Sequence, residues 1–275
     1  MKRHSEPAAS PVRKRSIGRR LWDSRVSYAF CMPYMTLFFI FTVLPVLMSI
    51  VLSFTYFNMM QAPRLVWFDN YVRLFMTDDV FLIALRNTLI LAVITGPVGY
   101  LLCFIFAWFI NELSPRLRTL FTLCFYAPSI SGNAYLIWTL LFSSDRYGMV
   151  NGFLMNLGMI NKPIQWFQDT KYMMGLCIAV LLWMSIGTSF LVFVAGFQGI
   201  DRSLYEAGMM DGIRNRVMEL WYITLPQMKP QLMFGAIMSI TGSFGFGAIV
   251  TALCGMPSTD YAGHAIMHHL EDYAN

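Results

Sequence analysis

Charge is what this sequence has least of. Only 13% of its 275 residues are Asp, Glu, Lys or Arg, against 57% hydrophobic, and a soluble domain carries about 25% charged residues. The deficit is uneven: windows 26–63, 87–111, 119–144, 172–200 and 230–259 hold no charged residue at all. Each exceeds the ~20 residues an α-helix needs to cross a hydrocarbon core at about 1.5 Å per residue. A water-soluble globule is excluded, and five transmembrane helices are predicted. Dyad alternation is also lacking, which argues against a membrane barrel, and an open strand in lipid would leave backbone groups unpaired.

Other absences narrow the chemistry. No Gly-Lys pair occurs anywhere, so the chain cannot form a P-loop. No Ser-His-Asp order, paired-carboxylate cleft or Gly-rich phosphate loop suggests catalysis. Cys31, Cys103, Cys124, Cys177 and Cys254 all fall inside predicted spans. Odd in number and without metal or redox spacing, they read as small buried apolar residues. Near the C-terminus, His264 and His268 share a helical face beside His269, Glu271 and Asp272. Histidines at i, i+4 can ligate zinc, but no third distant ligand is visible, and a solvated outer helix accounts for them equally well.

What charge there is falls asymmetrically. With the N-terminus inside, the inner segments carry Lys2, Arg3, Arg13, Lys14, Arg15, Arg19, Arg20, Arg25, Arg116, Arg118, Arg202, Arg214, Arg216 and Lys229. The outer ones carry Arg64, Arg73, Arg86, Arg146, Lys162 and Lys171, so 14 of the 20 basic residues lie inside. The pI near 9.0 and the basic tail over 1–25 are therefore a topology signal and a lipid-headgroup contact, with no recognition fold for nucleic acid around them. Pro33 and Pro45 are expected to bend span one. The 143–171 loop has room for a short surface helix and a partner contact.

One charged island interrupts the apolar runs, over residues 201–230. Ser203 stands three residues before Glu206, a capping box that would start a helix, and Asp201 adds negative charge at its positive end. Gly212 can take the left-handed conformation that stops it. A second amphipathic helix fits Arg214 to Tyr222, with Val217, Leu220 and Trp221 on one face. Pro226 and Pro230 precede span five. Ala207 and Gly208 leave that first helix bare enough for another surface to approach. From pattern alone, an ordinary loop in which Glu206 merely caps a helix fits equally.

The stretch "EAGMMDGIRNRVMELWYITLP" resembles the EAA loop of membrane permeases from binding-protein-dependent ABC importers. The matching positions are Glu206, Ala207, Gly208, Asp211, Gly212, Ile223, Thr224, Leu225 and Pro226. Gly208 stands where the family has Ala, and the spacer from Gly212 to Ile223 is one residue longer, which would turn the second helix by about 100°. "LPVLMSIVLSF", "RNTLILA", "YAPSISGNAYLIWTLLF" and "GMVNGFL" resemble the carbohydrate-importing branch, so the likeness runs from about Leu44 onward.

The resemblance implies an all-α polytopic membrane helical bundle with the type I ABC importer permease fold, comprising the tail over 1–25 and a permease domain over 26–275. The closing transmembrane helix of the family pattern is missing, and the sequence is expected to stop early. It implies a bacterial inner-membrane subunit for a sugar or oligosaccharide, paired with a second homologous permease and fed by an extracytoplasmic solute-binding protein. The 201–230 loop would couple it to two cytoplasmic ATPase subunits, which hold the ATP and magnesium; this chain binds no cofactor and is not itself an enzyme. Other solutes, or an ion-gradient-driven secondary transporter, are the rival readings.

Two further sets follow from the residues. Gly235, Ser239, Ser243 and Gly247 line one face of span five, as close helix packing requires. Ser129, Ser131, Asn133, Ser185, Thr188, Ser189 and Thr241 place polar groups in spans three to five. Ser129, Asn133, Ser185, Thr188 and Thr241 are taken as the candidate substrate path, although Ser and Thr also bond to their own helix backbone.

Overall fold

A computed structural model describes residues 25–58 and 60–274. The tail expected over 1–25 lies outside the described residues except for Arg25. Two compact units divide the chain after Thr77.

In the first unit, α1 (Arg25–Phe38) passes through a π turn at Phe39–Val43 into α2 (Leu44–Leu52), a single 28-residue apolar run. The π turn falls directly before Pro45, which has no N–H to continue an α ladder. None of these helical residues is buried except by what surrounds the chain, as an all-round apolar helix in lipid should be. A two-residue ladder pairs β1 (Thr55–Tyr56) with β2 (Arg64–Leu65), and α3 (Asp69–Met76) follows. Asn70 ties α3 down by donating to the Ser53 and Thr55 carbonyls, both at 2.9 Å.

The second unit is built on α4 (Asp79–Asn111), a continuous 33-residue helix. It starts eight residues before the uncharged window, because Asp78 caps it by accepting from Phe81 N–H at 2.9 Å. The third predicted span is interrupted. α5 (Pro115–Ile130) ends after Pro128, and a turn through Ser131, Gly132 (φ 61°) and Asn133 separates it from α6 (Leu136–Leu141). The expected surface helix is present as α7 (Met149–Asn156).

Spans four and five are each broken in two. α8 (Thr170–Met184) and α9 (Thr188–Gln198) meet at 42°. The island helices α10 (Arg202–Met210), α11 (Arg216–Glu219) and α12 (Leu225–Gln227) lead into α13 (Lys229–Gly242), which meets α14 (Gly247–Cys254) at 47°. α15 (Ile266–Ala274) ends the described chain. Among the described residues, two helices are long and apolar enough to cross a membrane, or four when each bent pair is one span.

The breaks sit on the glycines of α4. A Cβ at Gly96 would lie 3.2 Å from Ser243 Oγ, and one at Gly99 only 2.7 Å from Ser185 Oγ, so both broken spans approach α4 where its side chains vanish. Two apolar clusters pack either side of this crossing. One gathers Leu91, Met173, Val180, Phe246 and Val250; the other gathers Phe104, Ala107, Phe190, Phe193 and Met228. The small-residue face of span five serves this packing. Gly235 admits the Phe193 ring, Ser239 donates to Gly96 carbonyl at 2.7 Å, and Gly247 faces Met267.

Candidate functional site

Helix α10 carries the island's first site residues. Its cap is Asp201, whose side chain accepts from Ser203 N–H at 3.0 Å. The Ser203–Glu206 capping box is therefore corrected: the helix starts two residues earlier than that box requires, and Glu206 projects exposed. The Ser203 N–H bond holds the exposed Asp201 carboxyl below its ordinary range. Gly212 ends the helix at φ 93°, with Ile213 N–H bonding Gly208 carbonyl at 2.9 Å, the six-to-one closure of a Schellman turn.

Gly208 is the buried residue of this helix, and its bareness turns inward. A Cβ there would stand 2.6 Å from Ile223 Cδ1 and 3.2 Å from Ile213 Cδ1. The missing side chain makes room for Ile223, while Ala207 and Asp211 stay exposed. One turn earlier, Tyr205 Oη and Thr224 Oγ1 share a hydrogen bond of 3.0 Å. Leu225 is half-buried and packs beside Met228, and Pro226 is exposed.

The second island helix differs from expectation. It begins at Arg216, two residues late, because Asn215 caps it by accepting from Val217 N–H at 3.1 Å. From Leu220 to Thr224 it is a π turn, closed by Leu225 N–H on Leu220 carbonyl. A π turn takes in one residue more than an α turn. Ile223 lies within this widened turn and meets Gly208.

Arg216 joins the island to the α4–α5 turn, with Nη1 2.7 Å from Glu219 and Nη2 3.1 Å from Glu112. The Glu219 bond and then the Glu112 charge raise its pKa further above an already permanent charge. Arg216 and Glu112 are exposed enough that their pair is worth under about 1 kcal/mol, whereas Glu219 is largely covered. Beneath them opens a cleft of about 710 Å³ lined by Glu112, Arg118, Arg202, Tyr205, Glu206 and Arg216.

Where the broken spans cross α4 lies a second cavity of about 260 Å³, lined by Thr95, Ser185, Thr188, Ser189, Ser239 and Ser243 among apolar neighbours. Ser185 and Thr188 of the candidate path are here. Ser129 is not: it braces the span-four break by donating to Ile186 carbonyl at 2.8 Å. Asn133 is exposed in the α5–α6 turn and accepts from Tyr135 Oη. Thr241 is exposed and bonds back to Ile237 carbonyl. Thr95, Ser189, Ser239 and Ser243 were missing from that path; two of them lay in the small-residue stripe, where they read as packing alone.

The histidine segment also departs from expectation. His264, His268 and His269 are buried, not solvated. Asn87 Nδ2 reaches the carbonyls of Tyr261, Ala262 and His264 at 3.0–3.2 Å, and Thr88 Oγ1 accepts from Ile266 N–H at 2.9 Å. His268 Nδ1 accepts from Ala265 N–H, so its Nε2 carries the proton and faces Gly247 carbonyl at 3.0 Å. Both nitrogens are occupied, which removes it as a metal ligand. Asp78, besides capping α4, accepts from Tyr273 Oη at 2.9 Å and lies 3.2 Å from His269 Nε2.

These features, a broken-span bundle around a hydroxyl-lined cavity with a charged helical loop mounted beside it, define a membrane transport subunit. The chain belongs to the ABC transporter permease proteins. It is 33% identical to the lactose transport system permease protein LacF of Rhizobium radiobacter, over 83% of this chain and 76% of that one. It is 31% identical to the probable ABC transporter permease protein YesP of Bacillus subtilis (strain 168), over 81% of this chain and 71% of the relative. The fold matches a chain of a bacterial ABC transporter that imports alginate, with a TM-score of 0.75 at 23% identity over 94% of this chain and 87% of that one. No family model matches the chain.

Proposed function

We propose that this permease carries a sugar or oligosaccharide inward, with residues 201–230 as its coupling element. The mounting of α10 on the start of span five carries the reading. Gly208 against Ile223 and Tyr205 against Thr224 join a helix outside the bundle to the segment that leads into α13, so a push on α10 is delivered to a span that lines the cavity. Glu206, Ala207 and Asp211 present its free face; Gly212, Ile223, Leu225 and Pro226 set its angle.

Hydroxyl-bearing walls suit a cargo that is itself a set of hydroxyls, each side donating and accepting. LacF is named for lactose, which agrees with that chemistry. The cavity of about 260 Å³ falls just below the roughly 300–1,000 Å³ usual for ligand sites. In this reading a second, homologous permease supplies the remaining wall, and an extracytoplasmic solute-binding protein delivers the cargo; one solved relative is held in complex with an alginate pentasaccharide-bound periplasmic protein. Two cytoplasmic ATPases hold ATP and magnesium, the N-terminus is cytoplasmic, and the membrane is a bacterial inner membrane. ATP drives the cycle only through differential affinity for two states of the bundle.

The test is sugar uptake by membranes carrying Glu206→Ala or Gly212→Pro, with co-purification of partner subunits beside it. Both variants are expected to insert normally and lose ATP-driven uptake. The first removes the exposed carboxylate; the second forbids φ 93°. Wild-type uptake rates in both variants would refute the coupling assignment.

A further inference from the structure

Of the five cysteines, two meet. Cys177 Sγ on α8 and Cys254 Sγ at the last position of α14 are 3.3 Å apart, both as free thiols, although 77 residues separate them in sequence. Cys103 is engaged elsewhere, facing Ser185 carbonyl, and Cys31 and Cys124 are exposed. We propose that Cys177 and Cys254 form an oxidisable pair, a modification site whose disulfide fastens the loop-side halves of spans four and five to each other.

The geometry leaves a short distance to close. A disulfide is about 2.05 Å long, so the sulfurs must approach by a little over 1 Å, within reach of side-chain torsion. The chain passes close beside the pair at Gly263, where a Cβ would lie 3.1 Å from Met173 Sδ and 3.5 Å from Cys254 Sγ, so the pair is held in tight packing that needs a glycine there. Burial assigns the order of reaction. Cys177 is fully buried, while Cys254 is half-buried where Gly255 ends the helix at φ 76°.

A small disulfide therefore meets Cys254 first. The Cys254 thiolate attacks one sulfur of RSSR, forming Cys254–S–SR and releasing RS⁻. The Cys177 thiolate then attacks Cys254 Sγ, forming the Cys177–Cys254 bond and expelling the second RS⁻. The two cysteine protons end on the two released thiols, and RSSR is the oxidant reduced.

The consequence depends on where the pair sits. α8 and α14 are separated from α9 and α13 by the breaks at 185–187 and 243–246. A bond between α8 and α14 fixes one half of each span and leaves the other half free. On the transport reading above, that arrests any cycle in which the loop-side halves separate.

The test uses the full chain in the membranes where it is made, its partners present, with Cys31, Cys103 and Cys124 replaced by Ala and 4,4′-dithiodipyridine as the probe. The expected result is a peptide linked through Cys177 and Cys254 and thiopyridone released twice per chain. In Cys177→Ala, Cys254 is expected to keep a pyridylthio adduct; in Cys254→Ala, Cys177 stays unmodified. Unlinked thiols, or two separate adducts in the parent protein, overturn the pairing. Uptake is expected to fall on linkage and return with dithiothreitol, and linkage without loss of uptake overturns the locking role. A protein that takes up no sugar before oxidation bears on the transport reading alone, since linkage is read from the peptides.

Discussion

Two polar segments of this chain use charge in opposite ways. The island at 201–230 keeps Glu206, Asp211 and Arg214 exposed and is mounted by one close apolar contact, Gly208 against Ile223, with the Tyr205–Thr224 bond and the exposed Arg216–Glu112 pair beside it. The segment at 255–274 buries three histidines and is held by polar bonds from Asn87, Thr88 and Asp78. One shows its charges and rests on an apolar contact with a few polar bonds at its edge; the other hides its polar groups because they are the fastening. A residue's polarity therefore says little about its duty until its partners are known. Buried polar bonds are costly to leave half made, which suits an attachment meant to stay; an exposed ion pair beside an apolar contact costs less to part, which suits a part meant to move.

The comparison predicts where substitutions hurt most. Asn87→Leu should cost about 2–3 kcal/mol, because three carbonyls, half-buried at Tyr261 and Ala262 and buried at His264, lose their donor together. Thermal unfolding in detergent measures it, and protease nicking within 255–274 should rise. A neutral Asn87→Leu would show that the polar fastening holds nothing.

At the island, effects are smaller and depend on the neighbour. Gly208→Ala sets a methyl against Ile223 Cδ1. That overpacking costs about 1–3 kcal/mol, partly offset by about 1 kcal/mol of helix propensity. Removing the Cδ1 with Ile223→Val should turn the Gly208→Ala effect from destabilising to stabilising. A double-mutant cycle reads the sign change; additivity would mean that the two residues are not in contact.

The smallest effect is a pH slope. Burial first, then the neighbouring His268 and His269 charges, lowers the pKa of His264 below its ordinary 6.5, with Asp272 at 3.4 Å opposing. A lowered folded-state pKa means the unfolded chain binds the proton more readily, so stability is full above pH 6.5 and falls as the pH drops towards the folded value. His264→Asn should flatten that slope in a melting series from mildly alkaline to mildly acidic pH. Asp78 does not contribute there. Burial raises its pKa, but the Phe81 N–H bond, the Tyr273 hydroxyl and the His269 charge together hold it below 3.8, so its share is lost only in stronger acid.

The sequence made the island legible because its signals are local. Gly212 stops a helix by its own backbone, and the charge-free windows on both sides mark where lipid begins. The histidine segment was illegible for the opposite reason: its fastening is Asn87, more than 170 residues away, and nothing in "HAIMHHLED" names that partner. The breaks in spans four and five were equally silent. Ser185 to Gly187 and Ser243 to Phe246 carry neither charge nor proline, and they open because Gly99 and Gly96 on α4 admit them. The candidate path is scattered in the structure for the same cause. Ser185 and Thr188 flank a break, but the serines opposite, Ser239 and Ser243, share their spacing with ordinary helix packing.

The π turn at Leu220–Thr224 separates how long the island is from how it points. In a pure α-helix each added residue swings everything downstream by about a quarter-turn, so length and aim are one variable. Here the ring between Leu220 and Leu225 is widened to take in one residue more, so length and aim need not change together. A ring of this kind lets the arm that bears on span five take an added residue with a smaller change of direction than an unbroken α-helix would impose.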